Sequence, residues 1–574
     1  MNTRRHIITA AAAAAVIGLT APLSAQETLQ GEVTVERSIE PVERDATPLA
    51  LLPRVELPRV SSPQLDYSRL GVRSRVIPTA GFAEPAMRPL PMLAQADRRG
   101  YISLEAGAPL IDASLSAGYQ AVATEKTRLN LWLQYDTENY RRATPGVDDS
   151  ESRYWRDHDI AAGAWLLQDL GNKGHLNVSA SYHFAHTNGY LNGAGYWVNT
   201  NDARLSALWS RRREGWSLEG GLDYGYFGYN SIGIPQMKGA RQSDIRLRGM
   251  GELAFGDISW GGVEINLEIL HTGDHLTPDY LLDTWKHEGA TTPGVLTITP
   301  YYRLRHGSFS LSAGPRLDIS FKAGKAIHVA PRVDIGWTPV TWFALDLSAG
   351  GGEHVNTLSS LAEVARRTVP GLAYGFSHIP LTVDASALFG SKHALWGRIF
   401  GGWARANSWL MPALPAPAMT AIQFSPTDIK GFHGGVEAGW SWRGLASITA
   451  SWEAAQSGRG KGYYLWHDRA RHVVSVDLNV RPIKPLSVDV SWRLRAQRSI
   501  VTPVWFETPE GVTADEYTVN LRNSSDLSAR AVWTFSPALD VSLSATNILG
   551  RGCYQLDTTP MRSVAILAGA TYKF

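Results

Sequence analysis

From about Gly100 onward, apolar and polar residues alternate along the chain with a period of two, as strands do when one face meets an apolar medium and the other meets water. The stretch 308–321 is the purest case. Phe309, Leu311, Ala313, Pro315, Leu317, Ile319 and Phe321 share one face, and Ser308, Ser310, Ser312, Gly314, Arg316, Asp318 and Ser320 share the other. Leu486, Val488, Val490, Trp492 and Leu494 likewise alternate with Ser487, Asp489, Ser491, Arg493 and Arg495, and Val263, Ile265, Leu267 and Ile269 with Glu264, Asn266 and Glu268. An arginine turned toward hydrocarbon at mid-bilayer costs about 2–4 kcal/mol, so the charged face must line a wet lumen. The pattern predicts an all-β fold, a transmembrane antiparallel β-barrel.

Strands of this kind are separated by tight turns near positions 125, 171, 213, 257, 306, 338, 392, 444, 483 and 537. Longer connections carrying glycine and proline lie near 139–155, 229–240, 271–292, 351–379, 408–425, 498–517 and 549–561. Short turns mark the periplasmic side of such a barrel and long loops the outside. Ten tight turns separate eleven up-and-down pairs, which predicts about 22 strands. The closing stretch, 539–574, pairs Leu539, Val541, Leu543 and Ala545 with a last strand whose face is Val564, Ile566, Ala568, Ala570, Tyr572 and Phe574. That last strand is expected to close the barrel against a first strand near Tyr101.

The ends set the location. Arg4, Arg5 and His6 precede an apolar run from Ile7 to about Thr20 and then Leu23-Ser24-Ala25, the layout of a secretory signal peptide over residues 1–25. Residues 26–99 read differently from the barrel: prolines recur at 41, 48, 53, 58, 63, 78, 85, 89 and 91, and Leu-Pro-Arg-Val occurs at both 52–55 and 57–60. An extended, Pro-rich segment is expected there, a tether or a docking strip for a periplasmic or outer-membrane protein partner. The domain plan is thus signal peptide 1–25, extended segment 26–99 and barrel 100–574. With 54 glycines, 20 tryptophans and 21 tyrosines, the composition suits one large sheet with aromatic girdles. Cys553 is the single cysteine, so no intramolecular disulfide forms. A net charge of +2 lacks the basic excess that a nucleic-acid partner requires.

Three local features carry a family resemblance. Thr546-Asn547-Ile548-Leu549 followed by Tyr554 is similar to the element before the final loop of the TonB-dependent outer-membrane receptors. The segment from His354 to Glu363, followed by Pro370, is similar to their loop in which a short helical turn follows a mid-barrel strand. The aromatic Phe574 matches the terminal signal read by the barrel-assembly machinery. The resemblance covers about 100–574 and implies residence in the outer membrane of a Gram-negative bacterium, surrounded by outer-membrane lipid, and a part in transport of a solute that the residues do not name. Family members also carry a folded plug ahead of the barrel. The Pro-rich segment 26–99 is too short and too poor in strands for one, although Glu32-Val33-Thr34-Val35-Glu36 resembles the short box that pairs with TonB. The missing plug keeps open a second function, a non-transporting structural or assembly subunit of an outer-membrane complex. A barrel of this width also needs an obstruction, from the Pro-rich segment, from inward-folded loops or from a partner.

Catalytic and metal constellations are sparse. His183 and His186 are three apart, which on a strand sends them to opposite faces. Ser457-Gly458-Arg459-Gly460-Lys461-Gly462 lacks the strand-loop-helix setting of a phosphate loop. No enzyme activity, cofactor or metal is expected. The candidate ligand contacts are the lumenal arginines Arg303, Arg305, Arg316, Arg493 and Arg495, with Arg246 and Arg248 beside them, whose fixed charge would draw anionic solutes into a confined pore. The competing expectation is neutralisation by Glu252, Glu264, Glu268, Asp318 and Asp489.

Overall fold

The structure, a computed structural model, describes residues 98–143, 152–191, 194–233, 240–272, 292–322, 325–364, 376–391, 394–413, 423–457, 470–508, 511–550 and 562–574. The signal-peptide and Pro-rich expectations, Cys553, Tyr554 and the 458–462 loop tip lie outside these residues.

Six strands open the chain: β1 (Gly100–Ala108), β2 (Asp112–Ala123), β3 (Thr127–Ala143), β4 (Ser152–Asp169), β5 (His175–Leu191) and β6 (Ala194–Arg213). Next come β7 (Trp216–Ile232), β8 (Ala240–Ala254), β9 (Ser259–Thr272), β10 (Gly294–His306), β11 (Phe309–Phe321) and β12 (Ile327–Val340). Then follow β13 (Phe343–Val355), helix α1 (Leu358–Val364), β14 (Phe376–Gly390), β15 (Leu395–Ala413), β16 (Gln423–Trp442), β17 (Ala446–Ser457) and β18 (His472–Ile483). The chain ends with β19 (Leu486–Ala496), β20 (Arg498–Thr508), β21 (Gly511–Leu521), β22 (Ser524–Ser536), β23 (Leu539–Thr546) and β24 (Ala565–Lys573).

Every strand except β20 and β21 belongs to one 22-stranded antiparallel sheet, in which each strand pairs with its sequence neighbour and β19 pairs with β22. The sheet closes where β1 pairs β24, from Tyr101–Lys573 to Ala108–Ile566. The strand count and the closing register match the expectation from periodicity. So do the tight turns among the described residues, with one small shift: the β12–β13 turn falls at 341–342 rather than near 338, because the strand runs on through an irregularity between Trp337 and Val340, while the turn expected near 392 lies outside the described residues. The region 498–517, read as a loop, instead forms the separate hairpin β20–β21.

The two faces sort as their chemistry demands. Leu104, Ile265, Leu543 and Ile566 lie exposed on the outside, whereas their strand neighbours Glu105, Glu264, Ser542 and Leu567 are half-buried or buried within. Exposed aromatics gather beside the tight turns, among them Phe255, Trp342, Trp442, Trp533 and Phe535, and form a girdle at the turn end of the barrel. β6 and β16 are 20 residues long. At about 3.3 Å per residue each measures about 66 Å, and even tilted by about 45° it exceeds the roughly 30 Å hydrocarbon core. These strands therefore carry the barrel wall past the membrane on the loop side.

The seam is fastened at both ends. On the turn side, the Arg99 and Gly100 N–H groups donate to the Phe574 carbonyl at 2.8 Å, and Phe574 N–H donates to the Gly100 carbonyl at 2.9 Å. A Cβ at Gly100 would stand 2.6 Å from Phe574 Cζ, so any larger residue there would displace the terminal ring. Midway, Glu105 of β1 accepts from Arg530 of β22 at 2.5 Å and from Ser542 of β23 at 3.1 Å. On the loop side, Arg562 pairs with the fully buried Asp112, which also accepts the Asn139 N–H at 2.5 Å. Asn547, at φ 47°, turns the chain out of β23 in the left-handed region that asparagine tolerates. Its side chain donates to the Arg562 carbonyl at 2.6 Å, so the motif residue positions the seam arginine.

Replacing Arg562 by Ala leaves the Asp112 charge buried without its partner. The expected loss is about 3–5 kcal/mol of barrel stability, the usual cost of breaking a buried pair from one side. Denaturant unfolding of the detergent-solubilised barrel, followed by its heat-modifiable gel mobility, measures it.

Candidate functional site

The lumenal face of β11–β14 and the loop between β13 and β14 form the most elaborated polar region near the outer mouth. Its construction starts with backbone interruptions. Pro300, Pro315 and Pro331 lie on β10, β11 and β12 with their rings exposed, Pro315 directly opposite Pro331, and none has an N–H for the ladder. The pairing of β12 with β13 runs between Val333–Ala349 and Val340–Phe343. On the other side of β13, the run Gly350-Gly351-Gly352 carries a bulge against β14.

Beyond that bulge, β13 is held by side chains of β11. Arg316 donates from Nη1 to the Gly351 carbonyl and from Nη2 to the Glu353 carbonyl, both at 3.2 Å, and from Nε to Asp318 Oδ1 at 3.0 Å. Asp318, fully buried, accepts from Thr297 Oγ1 at 2.5 Å and, through Oδ2, from the Glu353 N–H at 2.8 Å. These two side chains supply hydrogen bonds of the kind a neighbouring strand would give. Gly352 makes room for them: its φ is 129°, and a Cβ there would lie 2.4 Å from Arg316 Cζ.

The same scaffold aims three ligand-type side chains at one point. His328 Nε2 lies 2.7 Å and His378 Nδ1 3.2 Å from Glu353 Oε1, and the two imidazoles stack with centroids 3.8 Å apart. His328 stands directly opposite Asp318, and His378 directly opposite Glu353.

Helix α1 projects from this corner to a distant part of the wall. Thr357 and Ser360 cap its start reciprocally, each backbone N–H donating to the other's hydroxyl at 3.1 Å. Leu358 and Leu361 are buried. The Leu358 N–H donates to Gln242 Oε1 of β8 at 2.8 Å. Ser359 donates to Asp202 at 3.0 Å and accepts from Arg204 at 2.9 Å, both on β6. Strands β13 and β6 are seven steps apart around the sheet, so the loop bends inward across the mouth. The helical turn implied by the motif at 354–363 is present, and one predicted source of obstruction, an inward-folded loop, is real. At its root, Leu270, Val295 and Phe376 form a buried apolar cluster with Val355 against it.

The sequence-derived arginines do not form one site. Arg303 pairs with Glu252 at 2.9 Å beside Tyr301, and Arg316 pairs with Asp318. Arg246 pairs with Glu268 at 2.9 Å and Arg248 with Asp223 at 2.7 Å. Neutralisation therefore dominates this side of the lumen, as the competing expectation had it. Asp489 instead accepts from Asn479. Arg305 lies exposed near the turn end of β10. Arg493 and Arg495 sit on β19, eight strands from β11, opposite Asp526 and Ser524. His183 and His186 do point apart: the former lies 3.1 Å from Asp159, and the latter stacks on Trp197 at 4.1 Å. Sequence reasoning missed His328, Glu353 and His378 as a group. The glycine run before Glu353 was the available signal, since consecutive glycines inside a strand mark a bulge that re-aims the next side chain.

No family model and no curated protein matches the chain in sequence. Among solved structures, a mutant of the ferric enterobactin receptor PfeA from Pseudomonas aeruginosa aligns with a TM-score of 0.61 at 10% identity, over 83% of this chain and 80% of that one. The FrpB iron transporter from Neisseria meningitidis aligns at 0.59 and 12% identity, over 83% and 82%. In fold, the chain is a TonB-dependent-receptor-like barrel. The siderophore receptor PirA from Acinetobacter baumannii gives the same picture, at 0.61 and 8% identity over 83% and 80%.

Arg316→Ala removes three hydrogen bonds and strands the Asp318 charge. It should destabilise the receptor-like barrel by about 3–5 kcal/mol, whereas Arg493→Ala should stay within about 0.5 kcal/mol. Parallel denaturant titrations of the two variants distinguish a structural arginine from a wall arginine.

Proposed function

We propose that the protein is a transport component of the outer membrane that admits a solute from outside through its lumen. The observation that carries this reading is the receptor-like barrel itself, shared over 83% of the chain with proteins named as a ferric enterobactin receptor, an iron transporter and a siderophore receptor. A ferric chelate is accordingly the solute class we assign. Those neighbours weigh against a purely structural subunit. The inward helix α1 supports the same reading, because it narrows the mouth with a part separate from the barrel ladder.

The candidate solute-facing arginines are Arg305, Arg493 and Arg495; Arg303 and Arg316 brace the wall through Glu252 and Asp318. A signal peptide over 1–25, insertion through Phe574 by the barrel-assembly machinery and recruitment of a periplasmic partner by the Pro-rich segment complete the proposal.

Uptake of labelled ferric siderophores by a deletion strain, with and without a protonophore, tests it. Loss of uptake of at least one chelate, restored by the wild-type gene, is expected. Undiminished uptake across a chelate panel would overturn the assignment of solute class. Replacing 358–364 by a Gly/Ser linker should raise single-channel conductance of the purified protein in planar bilayers. Unchanged conductance would remove α1 as the obstruction.

A further inference from the structure

The geometry points to a metal-binding site at His328, Glu353 and His378, one that takes a divalent first-row ion such as zinc on two imidazole nitrogens and one carboxylate oxygen. Imidazole and carboxylate are ligand types suited to such ions, and two histidines with one glutamate form a three-ligand set that leaves a fourth position for water or an incoming donor.

Four observations carry the assignment. The three ligating atoms lie within 4.8 Å of one another, and they are the one such group among the described residues. Glu353 is 7% exposed, yet its Oε1 makes no hydrogen bond. His378 Nδ1 is also buried without one, although it lies 3.2 Å from that oxygen: the atoms are near in distance but wrongly angled for N–H···O bonding. A buried carboxylate oxygen lacking a donor is stabilised by a cation placed against it. Protonated imidazoles serve that purpose poorly as a pair, because their rings stack 3.8 Å apart and two positive charges would repel across that gap.

The third observation is mechanical. Donor atoms around a tetrahedral ion with bonds of about 2.0–2.1 Å are about 3.3 Å apart, so the separations of 2.7 and 3.2 Å have only to open by a fraction of an ångström. The stacked rings, with centroids 3.8 Å apart, must swing apart for both to face one ion. The fourth is support from behind the ligand: the Glu353 backbone is held on both sides, its N–H by Asp318 and its carbonyl by Arg316. Bracing of this kind orients a metal ligand.

The placement gives the ion a role. Glu353 lies near the end of β13 and His378 near the start of β14, the two roots of the segment that carries α1, and His328 belongs to β12, beside which β13 lacks ladder pairing at this level. A bound ion ties these roots to β12 and so fixes the base of the inward loop. This inference does not depend on which solute is transported.

The experiment uses the full chain, purified in detergent and stripped with a chelator, and titrates zinc by calorimetry. One equivalent per chain is expected. His328→Ala, His378→Ala and Glu353→Gln should each weaken binding by more than about 100-fold, beyond the 10–100-fold typical of losing an outer-shell partner. His175→Ala, at an exposed turn, should change nothing. Heat-modifiable mobility confirms that each variant is folded. For any variant that is not, histidine carbethoxylation of the wild-type protein replaces it: zinc should protect His328 and His378 from modification, read by peptide mass spectrometry. Zinc binding by the wild type no tighter than by the folded variants, or unchanged modification of both histidines, would overturn the site.

Discussion

A chain that crosses hydrocarbon as strands has no water to satisfy its backbone, so every N–H and C=O at membrane depth must find a partner in the chain itself. Here that constraint is met by the pairing of β1 with β24, which removes both edges of a 22-stranded sheet at once. The rest of the structure follows from it. Closure forces an inside and an outside, the two-residue period sends alternate side chains to each, and an uncompensated charge is tolerated only inside. The fastening of the seam shows how much depends on it, with backbone bonds at Phe574, the Glu105–Arg530 pair midway and the buried Asp112–Arg562 pair at the outer end.

Inside the lumen the charges are mostly consumed by one another. Arg246, Arg248, Arg303, Arg316 and Arg332 each lie within ion-pair distance of a carboxylate on the same or a nearby strand. At β11–β13 this internal pairing becomes architecture. Exposed prolines take donors out of three neighbouring strands, and a three-glycine run bends β13. Arg316 and Asp318 then bond the displaced backbone of Gly351 and Glu353. The polar corner that results holds the two histidines and the glutamate, so the departure from regular ladder and the convergence of ligand atoms are one feature.

Much of the barrel was legible because its signals are local. Period-two alternation needs only a dozen residues to declare itself, and a tight turn needs two to five, so strand number, turn positions and the closing register follow from reading along the chain. The β20–β21 hairpin was missed because it lies beyond the sheet, where the requirement to close the barrel does not apply. The arginine roles were missed for a different reason. Arg316 and Arg493 have the same sequence context, each alternating with apolar residues on a strand, yet one is locked by Asp318 and two carbonyls and the other stands exposed. Which carboxylate lies across the strand is a matter of register among distant segments. The histidine–glutamate group is the extreme case: His328, Glu353 and His378 come together through a bulge and a gap in pairing that no spacing rule encodes.

The division between wall and mouth also bears on what can rearrange. Moving a barrel strand breaks ladder bonds on two sides, and at membrane depth those groups have no water to turn to. The seven-residue helix α1 instead meets the far wall through Gln242, Asp202 and Arg204 and through the burial of two leucines. The Arg204 contact is exposed to water at the mouth, whereas the Leu358–Gln242 bond and the two leucines, worth about 1.5–3 kcal/mol each, are buried and form the main hold. The hold on the mouth thus lies outside the barrel ladder. Its two roots, at Glu353 and His378, are where a small change in bonding has the greatest leverage over it.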